Sequence, residues 1–277
     1  NEKKVLVIEG ASWIGYSFIL VFLVKVLCSN VKVYYKGHSI EYEIRKKNNN
    51  FFISSISFYL EKFVYNLSDI SSSVSNLEKN KIRELYKVKT KIFPNIVNLK
   101  KKNKRLSKKN YILYSGSYEY LPNKYAIDRL VNNIMPIIKK KIPKIQLVIT
   151  GSKKLPYKFK WLKNMGLIKK NNYFKILNQA NCVVVPTKEG YGTRVKIIEA
   201  LCEGVVVISS KIGIEGIKIK KGFPPPFICF SNNDFINEIL KVFKNNKFHL
   251  KAFNNRNFFF TTYNAKINTI EFIKKYL

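Results

Sequence analysis

Acids, arginine, histidine and cysteine are all scarce in this chain, and each shortage removes a class of protein. There are 17 Asp+Glu against 51 Lys+Arg in 277 residues, a formal net charge of +34, which excludes the near-neutral surface of an ordinary cytosolic enzyme. Only six of the basic residues are arginine: Arg45, Arg83, Arg105, Arg129, Arg194 and Arg256. With asparagine runs such as Asn48, Asn49 and Asn50, the lysine surplus reads mainly as the residue usage of A/T-rich coding. Nucleic-acid binding, the usual meaning of such a charge, is therefore not expected, and no RNP, zinc-finger or helix-turn-helix signature supports it. His38 and His249 lack metal-ligand spacing, and Cys28, Cys182, Cys202 and Cys229 form no C-x-x-C pair. A zinc site or disulfide framework is not expected on that pattern. No metal or cofactor is expected, and free thiols suit a reducing cytoplasm. The longest apolar stretch, Ile14 to Leu27, is broken by Lys25 and falls short of the roughly 20 residues a spanning helix needs. A buried helix is the expectation there, with Tyr16, Phe18, Phe22, Tyr34 and Tyr35 in the core. No secretory leader pattern opens the chain, so the expected location is cytoplasmic.

What is present is enough to fold. Hydrophobic residues make up 46% and aromatics 14%, sufficient for a real core. Short β-rich runs alternate with helical ones, the pattern of an α/β fold with parallel sheets. Strands are predicted at 5–8, 31–35, 70–74 and 91–93, with helices at 13–28, 51–66 and 77–86. A polar, basic run from Asn98 to Asn110 reads as a linker. Beyond it, strands are predicted at 111–114, 146–150, 182–185, 205–209 and 227–230, and helices at 123–140, 173–179, 194–203 and onward to Leu277. The expected architecture is two Rossmann-like domains, an N-terminal one at 1–100 and a C-terminal one at 101–277 with closing helices.

The densest site signal lies between two predicted strands, in Pro186-Thr-Lys-Glu-Gly-Tyr-Gly-Thr-Arg-Val-Lys-Ile-Ile-Glu-Ala-Leu-Cys-Glu-Gly204. A strand enters, a glycine-bearing loop follows, and a helix starts near Thr193. Open α/β sheets bind ligands at that edge, and the helix amino end favours a phosphate or diphosphate. Arg194 and Lys196 stand in the first turn, where the helix dipole disfavours positive charge. Cations there make sense with an anion bound between them. Glu199, three residues on, has a carboxylate suited to a ribose diol; the bland alternative is a Lys196 to Glu199 surface pair.

At these residues the sequence resembles the donor-site signature of GT-B glycosyltransferases of the group 1, family 4-like type. Gly190-Tyr-Gly-Thr-Arg-Val-Lys-Ile-Ile-Glu-Ala-Leu, then Gly204-Val-Val-Val and Gly213-Ile-Glu-Gly216, carry the likeness. Ser115-Gly-Ser-Tyr-Glu-Tyr-Leu-Pro-Asn123 is similar to the glycine loop and Tyr-x-Pro-Asn that open this family's second domain, and Asn178 to Pro186 to the strand before the signature. In the first half, His38-Ser-Ile-Glu41, Ser75 and Phe93-Pro-Asn95 sit where such chains carry comparable residues. The resemblance spans about 5 to 260.

It implies that Arg194 and Lys196 bind the diphosphate of a nucleotide-sugar donor and stabilise the departing phosphate, and that Glu199 holds the ribose. Gly116, Ser117, Asn123, Gly190, Tyr191, Gly192 and Thr193 would complete the donor site, and His38 would contact the transferred sugar. Glu41 reads by itself as a surface charge, and Asn123 equally well as the cap of the following helix. The implied reaction is retaining, metal-independent hexosyl transfer to a glycan or lipid-linked acceptor, with peripheral contact with an anionic membrane as a further expectation. Two departures accompany the likeness. Tyr191 replaces the first glutamate of a pair seen in many relatives, with Glu189 nearby. Nothing before Val5 supplies the glycine-bearing strand-helix-strand-helix block of the acceptor side. The first domain is thus expected to be incomplete, whether as a fragment or a minimal form, and a catalytically inactive GT-B remnant serving as a binding subunit is the competing expectation.

Overall fold

A computed structural model describes residues 4–10, 14–48, 51–99, 107–190, 192–219 and 226–277. The chain forms two compact units: residues 1–96 with 191–193 and 266–277, and residues 97–190 with 194–265. The expected split into 1–100 and 101–277 therefore changes at the far end. The last twelve residues pack with the first unit, because Phe272 stacks on Tyr34 with ring centroids 4.9 Å apart and meets Phe93 edge-on at 5.0 Å. The expected linker also shortens. Leu99 is buried, the backbone of Val97 bonds to Tyr263 and Ala265, and Lys109 N–H donates to Gln179 O.

The first unit runs β1 (Lys4–Gly10), α1 (Ile14–Leu27), β2 (Val31–Gly37), α2 (Glu41–Asn48), α3 (Phe51–Leu67), β3 (Ile70–Ser73), α4 (Asn76–Tyr86) and β4 (Lys91–Ile92). The strands are parallel in the order β1-β2-β3-β4. Right-handed crossovers in that order carry α1 to α4 onto one face of the sheet. Side-chain alternation along β2 agrees. Val33 and Tyr35 join Val21, Val64, Ile82 and Tyr86 in one cluster, while Tyr34 joins Phe93 and Phe272 in another.

Helix α2 was not foreseen, since its composition offers no apolar stripe. Fully buried Glu61 of α3 closes its amino end by accepting from the backbone N–H of Glu41 at 3.0 Å and of Tyr42 at 2.9 Å, and also from the Tyr86 hydroxyl at 2.6 Å. Burial pushes the Glu61 carboxyl up to about 7 against those three donors. Glu41, expected on the surface, is buried in the same place. Ser75 caps α4 by accepting from Glu78 N–H at 3.2 Å.

The second unit runs β5 (Tyr111–Ser115), α5 (Leu121–Arg129), a π-helical turn (Leu130–Ile134), α6 (Met135–Lys141), β6 (Gln146–Thr150), β7 (Leu162–Asn164), α7 (Lys170–Gln179), β8 (Cys182–Val185), α8 (Val195–Cys202), β9 (Val206–Ser210), β10 (Phe227–Cys229), α9 (Asn232–Lys244) and α10 (Lys247–Tyr263). The chain then enters α11 (Ala265–Tyr276). All six strands are parallel, in the order β7-β6-β5-β8-β9-β10. Strand order reverses between β5 and β8, the arrangement of a dinucleotide-binding sheet. Both pairing faces are covered, which explains why Cys182–Val185 and Val206–Ser210 are buried at every position. The single helix expected at 123–140 is instead interrupted. Pro136 cannot donate within a helix and its ring crowds the preceding turn, and the widened turn directly before it absorbs that conflict.

Candidate functional site

Two loops leave the second unit's sheet at its reversal point. One follows Ser115 of β5 and carries Gly116 and Ser117; the other follows Val185 of β8 and leads into α8. Ligands of open α/β sheets settle outside the carboxyl ends of the strands at such a point, where adjacent loops diverge. Arg194 occupies the N-cap of α8 with no side-chain cap bond of its own. Its Nη2 donates to Glu189 O at 3.4 Å, and a Cβ on Gly190 would stand 2.7 Å from that nitrogen. Gly190 also lies at φ 129°, so any other residue there would be strained and would crowd the guanidinium.

Lys196 lies in the first turn of the helix and points across to β5. Its Nζ donates to Asn123 Oδ1 at 2.9 Å and to the Tyr114 hydroxyl at 3.2 Å, and it sits 4.2 Å from the Tyr114 ring centroid. The Tyr114 hydroxyl itself donates to Asn123 Oδ1 at 2.8 Å. These partners are uncharged, so desolvation, with repulsion from Arg194 second, pulls the Lys196 ammonium from its ordinary 10.5 down to about 7. Asn123 is thereby a positioning residue. It is not a helix cap, because the N-cap of α5 is Tyr120. A Cβ on Gly116 would come within 2.6 Å of Asn123 Nδ2, so the glycine keeps room for the carboxamide that holds Lys196. The Gly116 N–H is spent on Thr150 O at 2.8 Å. The Ser117 hydroxyl donates to the Glu119 carboxylate.

Glu199 and Lys196 do not pair with each other. Glu199 Oε2 accepts from the Tyr173 hydroxyl of α7 at 3.0 Å, and burial raises its carboxyl despite that bond. The second unit thus gathers Arg194, Lys196, Glu199, Gly116, Ser117, Asn123 and Gly190. Gly192, Thr193 and His38 belong to the first unit by compactness; Tyr191 lies outside the described residues. His38 follows the carboxyl end of β2, with Nδ1 3.4 Å from Asn95 Oδ1 and Nε2 3.4 Å from Glu9 Oε2. Asn95 Nδ2 donates to Thr193 Oγ1 at 2.6 Å, so the hydroxyl assigned to the donor already has a structural partner.

Tyr114, Tyr173 and Asn95 escaped the sequence reading as positioning residues. A tyrosine at the buried end of a β-strand is a usable signal, because a buried hydroxyl needs a partner. Among the described residues no group of three His, Cys, Asp or Glu side chains is arranged to hold a metal ion. A separate cavity of about 740 Å³, lined by Asp128, Arg129, Asn132 and Phe230 among others, touches the loop only at Lys188 and Glu189 and includes neither Lys196 nor Glu199.

Residues 109–245 match the model of the family described as glycosyl transferases group 1. No curated protein matches the chain. Among solved structures, TarM aligns with a TM-score of 0.75 at 13% identity, over 99% of this chain and 55% of TarM. Sucrose-phosphate synthase from Thermosynechococcus elongatus aligns at 0.72 and 15%, over 98% of this chain and 72% of its own. HepE from Anabaena, solved in complex with UDP, aligns at 0.71 and 11%, over 98% and 78%. At these identities the likeness concerns the fold, and the chain spans little more than half the length of TarM.

Proposed function

We propose that this chain, whose residues 109–245 match the model of the group 1 glycosyl transferases and whose fold is that of the GT-B enzymes, moves a sugar from a nucleotide-diphosphate donor to a glycan or lipid-linked acceptor. The observation that carries the reading is the pair of cations at the amino end of α8. Arg194 and Lys196 stand where the helix dipole already disfavours positive charge, and the hydrogen-bond partners of Lys196 are uncharged. Such a site is stabilised by a bound diphosphate. As the bond between sugar and diphosphate breaks, negative charge grows on the departing phosphate, and the two preplaced cations stabilise it without reorganising. Asn123 and Tyr114 hold the Lys196 ammonium, Glu199 takes the ribose hydroxyls, and Gly190 leaves room for the Arg194 guanidinium. We assign His38 to the transferred sugar. Retention of configuration and independence of a metal ion belong to the proposal, as do a cytoplasmic location and contact with an anionic membrane. The UDP complex of HepE supports trying uridine donors first.

Isothermal titration with UDP- and GDP-sugars tests the site. Wild type binds one of them, and Arg194→Ala weakens that binding by about tenfold or more, the scale of one charge-assisted contact. No binding by wild type, or equal binding by the variant, refutes the assignment. Binding without donor hydrolysis or transfer would favour the inactive binding subunit instead.

A further inference from the structure

Helix α1, expected to be buried, buries only Ile14, Ser17 and Val21 of its fourteen residues. Tyr16 is 63% exposed and Leu27 72%, with Ile19, Phe22, Leu23 and Val26 also exposed between them. The neighbouring α3 repeats the pattern: Phe51 is 87% exposed and Phe52 70%, followed by Ile56, Tyr59 and Phe63. The two helices pack side by side, with the Phe18 and Phe63 rings 6.1 Å apart, so their outward sides form one face. A hollow of about 480 Å³ opens on it, lined by Ile14, Tyr16, Phe52, Ile53, Ile56 and Leu60, with Arg45 as its one charged lining residue. Exposed apolar surface gathered to this extent marks an interaction site.

Charge selects the occupant. The acids of α1 to α3 are all engaged away from solvent or with a cation: Glu41 and Glu61 are buried, and Glu43 pairs with Lys81 at 2.9 Å. Lys46 and Lys62 remain exposed on the same helices, Lys46 over the Tyr42 ring that packs on Phe58. A second copy of this face would bring Lys46 and Lys62 against cations, since the exposed acid beside it, Asp69, already pairs with Lys25 at 2.6 Å. An anionic bilayer offers apolar depth for the aromatic side chains and headgroups for the lysines. Helix α1 has fourteen residues, and no described helix is long and apolar enough to cross a membrane, so the helices lie along the surface.

We infer that the α1 and α3 face seats the chain on an anionic lipid bilayer, with Phe51 and Phe52 entering the interface and the hollow receiving acyl-chain carbons. This deepens the membrane part of the proposed function and requires nothing of the donor site. Flotation of the full chain with phosphatidylcholine vesicles, with and without phosphatidylserine, tests it. Binding is expected on the anionic vesicles and at least about tenfold weaker on the neutral ones. Phe51→Ser with Phe52→Ser, and separately Val26→Ser with Leu27→Ser, should each weaken it about tenfold or more. Phe230→Ser, a 75% exposed aromatic of the second unit, should leave flotation unchanged. Nucleotide-sugar titration of the same variants should match wild type, which keeps failure here distinct from failure of the donor site. No flotation by wild type, or equal flotation by both double variants, overturns the inference. So does a self-association, seen by sedimentation without vesicles, that Phe51→Ser with Phe52→Ser dissolves.

Discussion

The six strands of the second unit reverse their order between β5 and β8, whereas the four of the first run from β1 to β4 without a reversal. Both sheets are parallel and both are built by crossover helices. The reversal is where neighbouring loops of such a sheet diverge, and the helix that starts there carries Arg194 at its N-cap and Lys196 in its first turn. In the first unit successive crossovers cover the same face, so the sheet edge has no equivalent divergence among its described strands. What distinguishes that unit is a fully buried carboxylate, Glu61, that gathers three donors, and an exposed apolar face on α1 and α3. The candidate site lies where adjacent loops diverge, and the exposed apolar surface lies on a layer of helices whose outward side no described element buries.

Packing gives the sharpest break in this comparison. Ile149 of β6 is fully buried between helices, and Ile149→Ala should cost about 2–5 kcal/mol. Val7 of β1 is 48% exposed, and Val7→Ala should stay within about 0.5 kcal/mol. Urea unfolding followed by Trp161 fluorescence, with Trp13→Phe removing the other tryptophan, reads the second unit, and circular dichroism the whole chain. Equal costs at the two positions would refute the contrast.

Next in size is the chemistry. Lys196→Met keeps an apolar stem over the Tyr114 ring and removes the ammonium, and it should lower the transfer rate by about 10²–10³ with the fold intact. Rates measured under saturating donor separate this from weaker binding. A variant that transfers at the wild-type rate would leave the cation pair without a catalytic role.

Much of this was legible in the residues themselves. Alternating strands and helices placed β5, β6, β8 and β9 within a residue or so, because strands buried on both faces are continuous apolar runs such as Val183-Val-Val. The glycine loop and Arg194 pointed to the candidate site at the amino end of α8. Less legible were elements without an apolar pattern. Helix α2, Glu-Tyr-Glu-Ile-Arg-Lys-Lys-Asn, announces itself only through acids in its first turn and bases in its last, and three-residue β7 is too short for periodicity. The outward side of α1 misled for the opposite reason. Its composition is that of a core helix, and nothing in Tyr16 or Phe22 says that the structure leaves them uncovered.

Glu61 of the first unit and Lys196 of the second should respond to pH with opposite signs. Glu61 sits at about 7 in the folded chain against an ordinary 4.5. Its contribution is therefore full below 4.5 and is lost as pH rises through about 7. Glu61→Gln removes that dependence and, by disturbing the three donors gathered at the carboxylate, should itself cost about 1–3 kcal/mol at low pH. Thermal denaturation of wild type and variant from pH 4 to 8 checks it, and parallel pH profiles would refute it.

Lys196 runs the other way, and its effect is the smallest and most specific. The folded chain holds its proton only up to about 7 while the unfolded chain keeps it to an ordinary 10.5. Between those values the unfolded state binds more protons, so stability rises with pH and is lost again as pH falls through about 7. A diphosphate placed beside the ammonium restores the proton. UDP binding near pH 8 should accordingly take up a proton, and affinity should fall by up to about tenfold for each pH unit above 7. Calorimetry in two buffers of different ionisation heat measures the uptake directly. It should vanish in Lys196→Met, whereas Glu61→Gln should leave it unchanged, because that carboxylate belongs to the first unit and faces Tyr86 and the start of α2. Proton uptake that survives the loss of Lys196 would move the anion away from the amino end of α8.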